Sequence, residues 1–523
     1  MQSKECLLTQ ELMVQKINGH VNGILRENLY EMNLSMAKLQ QLDRQKQELR
    51  NNLKRCGIGD RGAKDFMIDF IEECLLKLFS LDEQNIGQTF FYSPEGEKNP
   101  AYQFDKLLFS YQKTYGVYGM EQLVEENHLL GGAGKNEITV EDIRRVYHKK
   151  APSMDFAEKL WLISYKVYAA YKGLGVIDEL RDMHIDGVSG GVSGRQGEYD
   201  SVWMFYKGRS IHLAFLNFGN EAELERICRN ICRFEQPGEL SRAKGYLIHE
   251  MADHARVVVA RPDFAENWMF FVRKLDQGKK RTLEELFPRE DAQPLVQLLG
   301  WIMKGCQVIG ITGMQGSGKT TLLMALIGHI PKEYTIRVLE LAFELHLREL
   351  YPKRNIVTFR ETNTVEGWEG LEVQRKTDGT VTVIGELVSH RVAAWMIESG
   401  QTGSLSTVFT HHARTTKSLV HSLRNSLLKE GNFQSEQIAL QQVLEVVRFD
   451  IHLHMDRSGE RYIERVTQIV EDASTGEGFR LVNLMEYENH RYIQKNKLDE
   501  ATRAELARWL TQEEKEEFFA ADI

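Results

Sequence analysis

The run Gly313-Met-Gln-Gly-Ser-Gly318-Lys319-Thr320 fits G-x-x-x-x-G-K-[ST], a spacing whose chemistry is the cradling of phosphate. Its glycines let backbone N–H groups converge on an anion, and the N-terminus of the helix that follows adds a favourable dipole. Gly313, Gln315, Gly316, Ser317, Gly318, Lys319, Thr320 and Thr321 are therefore the expected nucleotide-binding residues. Lys319 is expected to reach the β- and γ-phosphates, and the Thr320 hydroxyl to hold Mg²⁺. Three polar groups follow. Ile336-Arg-Val-Leu-Glu340-Leu-Ala-Phe-Glu344 is a strand with two carboxylates four apart, which share one face if the chain turns helical there. Such a pair beside a triphosphate suits general-base and metal-shell work. Val381-Thr-Val-Ile-Gly385-Glu386 is an apolar strand ending on a carboxylate, placed to orient an attacking water or the metal. Thr402 to Ala413 ends on His411-His412; adjacent strand residues face opposite sides, so at most one of the two reaches a phosphate.

These groups need a scaffold. Gln307–Thr312 reads as a short buried strand, and Thr321–Ile327 as the start of a helix that ends before Pro331. From there to about residue 480, strands and helices alternate in the α/β manner. Upstream, residues 1–60 read as a long helix or helical hairpin, a candidate coiled-coil arm, and 61–172 as a helical region with loops. Residues 173–280 read as an α+β domain, 281–488 as the nucleotide domain, and 489–523 as a charged helical tail. Gly131-Gly-Ala-Gly134 is expected to be a linker, and the doubled tetrapeptide Gly187-Val-Ser-Gly-Gly-Val-Ser-Gly194 a flexible turn between strands.

Composition excludes several classes. The 523 residues are 42% hydrophobic and 27% charged, with net charge −9, and no block is basic enough for a nucleic-acid footprint. The N-terminus lacks a signal-peptide pattern, and no stretch of 18 apolar residues exists, so any membrane role is expected to be peripheral. The six cysteines are scattered, as in a reduced cytosolic protein, and Cys228 with Cys232 is expected to be ordinary helix packing.

The order of the motifs resembles the type II/IV secretion ATPase family, especially its Tad/Flp pilus-assembly and conjugation branches. Phosphate loop, acidic box, apolar-Gly-Glu strand and Thr-x-His-Ala box follow one another within about a hundred residues. The resemblance covers roughly residues 160–485 and implies a RecA-like P-loop domain behind an α+β N-terminal domain, with helical extensions. It implies ATP and Mg²⁺ as ligands, a hexameric homo-oligomer, and an integral-membrane platform protein as partner at the cytoplasmic face of the cell membrane. Lys319 and Thr320 fall at its Walker A positions, Glu340 and Glu344 in its acidic box, Glu386 at its Walker B glutamate and His412 at its retained histidine. Arg256, Arg261 and Arg273 are its candidate phosphate-sensing arginines, of which Arg256 and Arg273 are placed in the nucleotide site. Leu341 departs from the usual acidic residue, and Leu387-Val-Ser-His from the common Val-Arg-Gly; both leave the sensing arginine open. The four-cysteine zinc module of general-secretion ATPases is missing. Two other readings stand beside this one: an ATP-driven nucleic-acid translocase, which the acidic charge disfavours, and a nucleotide-gated scaffold with little turnover.

Overall fold

The structure, a computed structural model, describes residues 8–27, 35–131, 135–192, 201–232, 240, 244–251, 253, 255–274, 281–341, 343–362, 365–431, 433–456 and 459–521. The expected linker 131–134 lies largely outside these. The chain divides into two compact units, Met1–Asp276 and Gln277–Ile523.

In the first unit, helices Gln10–Arg26, Met36–Cys56, Arg61–Phe79 and Phe156–Tyr171 gather around one apolar core. Met13, Ile17 and Val21 recur at helical spacing and bury completely or nearly so, against residues that include Met67, Ile71 and Ile163. The arm expected over 1–60 is thus two helices folded into a bundle. A seven-stranded sheet follows, formed by β1 (Glu137–Ile138), β2 (Gly187–Gly190), β3 (Trp203–Tyr206), β4 (Arg209–Leu213), β5 (Tyr246–Glu250), β6 (Arg256–Ala260) and β7 (Met269–Arg273). Its order is β1-β4-β3-β2-β7-β6-β5, antiparallel apart from the β1–β4 pair. The sequence suggested a flexible turn over Gly187–Gly194, of which 193 and 194 lie outside the described residues, and the structure corrects this for Gly187–Gly190. The segment is a central strand, buried throughout. Its glycines admit aromatic neighbours: a Cβ on Gly190 would stand 2.5 Å from the Phe270 ring and 2.6 Å from that of Phe218.

The second unit is built on nine strands: β8 (Val308–Gly313), β9 (Ile336–Glu340), β10 (Ile356–Arg360), β11 (Val381–Ile384), β12 (Ser406–His411), β13 (Val447–Met455), β14 (Arg461–Glu471), β15 (Phe479–Glu488) and β16 (Arg491–Gln494). The order is β10-β9-β11-β12-β8-β13-β14-β15-β16. The first six positions are parallel and the last three are added antiparallel. This is a RecA-like α/β fold. The central strands are nearly continuous apolar runs because helices cover both faces. Gln293–Lys304 and Lys319–Leu326 contribute to the core on one face, and His390–Thr402, Thr416–Lys429 and Glu436–Val446 to that on the other. The tail expected to be helical from Asn489 begins instead with β16, which pairs with β15; helices Glu500–Ala507 and Gln512–Ala520 come after it. They pack back on the unit: Leu506 sits against Gly305, and the Phe518 ring lies 5.5 Å from that of Trp301. Among the described residues no helix is long and apolar enough to cross a membrane.

Parallel strands bring their carboxyl ends to one edge of the sheet, where ligands of such folds bind. That edge collects the ends of β8, β9, β11 and β12, which lead into the phosphate loop, Glu340, Glu386 and His412.

Candidate functional site

The loop after β8 has the backbone that its glycines predict. Gly313 (φ +143°) and Gly318 (φ +95°) take conformations that side chains resist. A Cβ on Gly313 would also lie 2.4 Å from the Leu453 carbonyl oxygen, so strand β13 closes on the loop only because that Cβ is absent. The helix begins at Lys319, directly after the loop. Ser317 is completely buried, and its Oγ has no hydrogen-bond partner among the described residues. An orphaned hydroxyl inside a cradle of backbone N–H groups fits a phosphate oxygen. Gln315 is exposed, and Thr320 and Thr321 are half-buried on the first helical turn.

Lys319 is almost fully buried. Its Nζ donates to the carbonyls of Gly313 (3.0 Å) and Met314 (2.9 Å), and lies 3.4 Å from His412 Nδ1. A lysine ammonium only donates, so Nδ1 accepts and the imidazole proton sits on Nε2. From there it is shared with Glu386 Oε1 at 2.9 Å. Lysine, histidine and glutamate thus form one hydrogen-bonded chain across the ends of β8, β12 and β11. His411 faces the other way, between the Leu387 carbonyl and Ser422 Oγ, and burial depresses its pKa. The alternation of strand side chains accounts for this division.

The acidic box differs from its expected geometry. The chain does not turn helical after Glu340; the next helix is Leu347–Leu350. The buried Glu340 carboxylate instead turns on its own chain, and Oε1 accepts from the backbone N–H groups of Glu344 and Leu345, both at 2.8 Å. Glu340 therefore shapes the bend that carries the half-buried Glu344, and the two carboxylates do not share a helical face. The same neighbour explains Gly385, since a Cβ there would stand 3.2 Å from Glu340 Cγ. Thr410 Oγ1 ties this strand end to the next by donating to the Gly385 carbonyl.

The candidate arginines lie on the first unit. Arg256 and Arg273 face each other across β6 and β7. Arg261 follows β6 with its guanidinium 5.7 Å from the centre of the Trp268 ring.

A polar cluster beneath the loop was missed in the sequence. Asp450 on β13 is fully buried and accepts from the hydroxyls of Thr312, just before the loop, and Thr416, which opens the helix after the histidines, both at 2.6 Å. Burial raises the pKa of Asp450, and the two hydroxyls work against that rise. His452 Nδ1 meets Thr312 Oγ1 at 2.8 Å, and burial, with Arg465 nearby, pushes the imidazole down to about 4. The signal was a carboxylate and a histidine inside the apolar strand Phe449-Asp-Ile-His-Leu453.

Residues 267–503 match the profile of the type II/IV secretion system protein family. No curated protein sequence matches. Solved structures that resemble the chain include the VirB11 ATPase of the Brucella suis type IV secretion system in complex with sulphate. It is 21% identical over 54% of this chain and 88% of that one, with TM-score 0.31. The ATPase DotB of Legionella pneumophila is 14% identical over 66% and 85%, with TM-score 0.41. The pilus retraction motor PilT, with bound ADP, is 14% identical over 67% and 88%, with TM-score 0.40.

Proposed function

We propose that the chain is an ATPase that hydrolyses Mg-ATP as the motor of a type II/IV secretion or pilus-assembly machine. The observation that carries this reading is the chain Lys319–His412–Glu386, set at the mouth of a glycine cradle that holds an orphaned buried hydroxyl. On ATP binding, the backbone N–H groups from Gly316 to Thr321 bind the phosphates. The Lys319 ammonium exchanges the carbonyls of Gly313 and Met314 for phosphate oxygens. The Thr320 hydroxyl and, through water, Glu386 would hold Mg²⁺, which supplies charge neutralisation at the phosphates. Glu386 orients the attacking water and takes its proton, while the His412 Nε2–H bond holds that carboxylate in place. Glu340 fixes the bend that presents Glu344 to the metal shell. Arg256 or Arg273, from the same chain or a neighbour, neutralises charge developing on the γ-phosphate. Closure and opening of the first unit with nucleotide state would drive a ring of subunits, a hexamer on this reading, against an integral-membrane platform at the cytoplasmic face. The match to the secretion family supports this assignment, and the lack of a four-cysteine zinc module in the sequence favours the Tad/Flp or conjugation branch. The net charge of −9 disfavours a nucleic-acid track.

The test is ATP binding by calorimetry with Lys319→Ala beside the wild type. Binding in the wild type and a loss of at least tenfold in the variant is expected. Equal binding in both would refute the phosphate-loop assignment.

A further inference from the structure

The sequence nominates arginines of the first unit, yet the structure sets a different one on the phosphate loop itself. Arg461 opens β14, directly opposite Met455 at the end of β13. Its Nε donates to the Gly316 carbonyl over 2.8 Å. Its Cδ lies 3.5 Å from where a Cβ on Gly318 would stand, and Met455 Cε 3.7 Å from the same point on Gly316. One hairpin thus lays an arginine stem and a thioether over the outside of the loop.

The hairpin is fixed so as to keep that side chain there. The backbone N–H of Asp456 donates to the Glu460 carbonyl over 3.0 Å, and the Glu460 N–H returns a bond to Asp456 Oδ1 over 2.9 Å. Glu460, next to Arg461 in sequence, turns its carboxylate to the Tyr487 hydroxyl on β15 instead of pairing with the guanidinium. Among the described residues the Gly316 carbonyl is the sole acceptor for Arg461, and no carboxylate stands within ion-pair distance. A guanidinium has five N–H donors in a planar fork. Tethering one of them to the loop leaves the terminal nitrogens without a partner among the described residues, beside a cradle built for anions. A tethered fork also gives up little rotamer freedom when an anion arrives.

We propose that Arg461 is a phosphate-binding residue of the nucleotide site, supplied by the same chain, whose terminal nitrogens bind the di- or triphosphate while Nε holds the loop. This rests on the ATPase reading and answers a question that reading leaves open, the source of positive charge on the phosphates beyond Lys319.

The experiment measures ATP and ADP affinity by calorimetry for the full-length wild type and for Arg461→Ala, Arg461→Lys and Arg461→Gln, with thermal melts of each. Lysine and glutamine can both donate one hydrogen bond to the Gly316 carbonyl, but only lysine carries charge. We expect a loss of tenfold or more in Arg461→Ala and Arg461→Gln for both nucleotides, and recovery of most of it in Arg461→Lys. Wild-type affinity in Arg461→Gln would overturn the assignment and make the side chain a loop brace only. Wild-type affinity in Arg461→Ala overturns it outright. A wild type that binds neither nucleotide overturns the ATPase reading and this assignment together, and that arm is scored independently of the variants.

Discussion

Glu179→Gln should abolish a pH dependence of stability that one buried carboxyl imposes on the first unit. Glu179 lies on the short helix Asp178–Asp182, 6% exposed, and neither of its carboxyl oxygens has a hydrogen-bond partner among the described residues. Its surroundings are charged but already paired. Lys64 binds Asp178 at 2.5 Å and Asp182 at 2.6 Å; Arg181 binds Asp182 at 2.7 Å and Asp253 at 2.6 Å; Lys166 binds Asp105 at 2.7 Å. Burial, with the Asp105 charge adding to it, pushes Glu179 up to about 8 from an ordinary 4.5, although Lys64 and Lys166 oppose the shift. The folded state therefore holds a proton that the unfolded chain releases. The stability from this group is fully present below pH 4.5 and is lost as pH rises through about 8. At about 1.4 kcal/mol per tenfold change in proton affinity, the loss is on the order of 5 kcal/mol.

Glutamine copies the protonated carboxyl and cannot ionise. At pH 5, just above the unfolded value, little of the loss has occurred and the variant should lie within about 1 kcal/mol of the wild type. At pH 8 it should melt about 10 °C higher, given roughly 2–4 °C per kcal/mol for a unit of this size. Two neighbours titrate outside this window. Burial lowers Lys274 to about 8, so it acts above that pH; Asp182, against its burial, is held at about 2 by Lys64 and Arg181 and acts in acid. The assay is calorimetric melting of both chains from pH 5 to 8. Parallel curves for the two, with the same loss toward pH 8, would refute the reasoning.

Further outcomes follow from the site and the sheet. Gly385→Asp would push a Cβ against Glu340 Cγ and set a second carboxylate beside a buried one, so ATP turnover should fall at least tenfold and the melting temperature should drop. Asp450→Ala strands the hydroxyls of Thr312 and Thr416, at about 1–3 kcal/mol for each buried group left unsatisfied, and should lower both the melting temperature and ATP affinity. Gly190→Ala meets the rings of Phe270 and Phe218 inside 3 Å and should cost about 1–3 kcal/mol in a denaturant melt, with nucleotide affinity unchanged.

Much of the second unit was legible because burial on both faces writes itself as an unbroken apolar run. Val308–Gly313, Ile336–Glu340 and Val381–Ile384 come close to such runs, broken inside only by Thr312, Arg337 and Thr382, and their ends and the chain just past them carry the polar residues of the site. Edge strands are weaker signals. β5 and β16 are short and expose apolar side chains such as Ile248 and Ile493, so the sequence does not separate them from loop or tail. Gly187–Gly190 misled for a different reason: Gly187 answers to the Val272 carbonyl and Gly190 to the rings of Phe218 and Phe270, which are remote in sequence and invisible to local pattern. The same distance hid part of the site. Motif spacing was enough to single out Lys319, Glu386 and His412, which the fold brings within hydrogen-bond reach of one another. Asp450 and Arg461 act on Thr312 and Gly316 from more than a hundred residues away, and only the addition of β13 and β14 beside β8 explains them. Whether the chain turns helical after Glu340 was left open by the sequence; the carboxylate binds the backbone N–H groups ahead of it and sets a bend instead.

The most direct test of the central claim is steady-state phosphate release from ATP by the full chain over a range of protein concentrations, beside Glu386→Gln. Activity per chain that rises with concentration and disappears in the variant is the predicted result, if the glutamate orients the water and a ring of subunits completes the site as proposed. Turnover that survives in Glu386→Gln would contradict the assigned chemistry, and ATP binding with no turnover at any concentration would contradict the motor in favour of a nucleotide-gated scaffold.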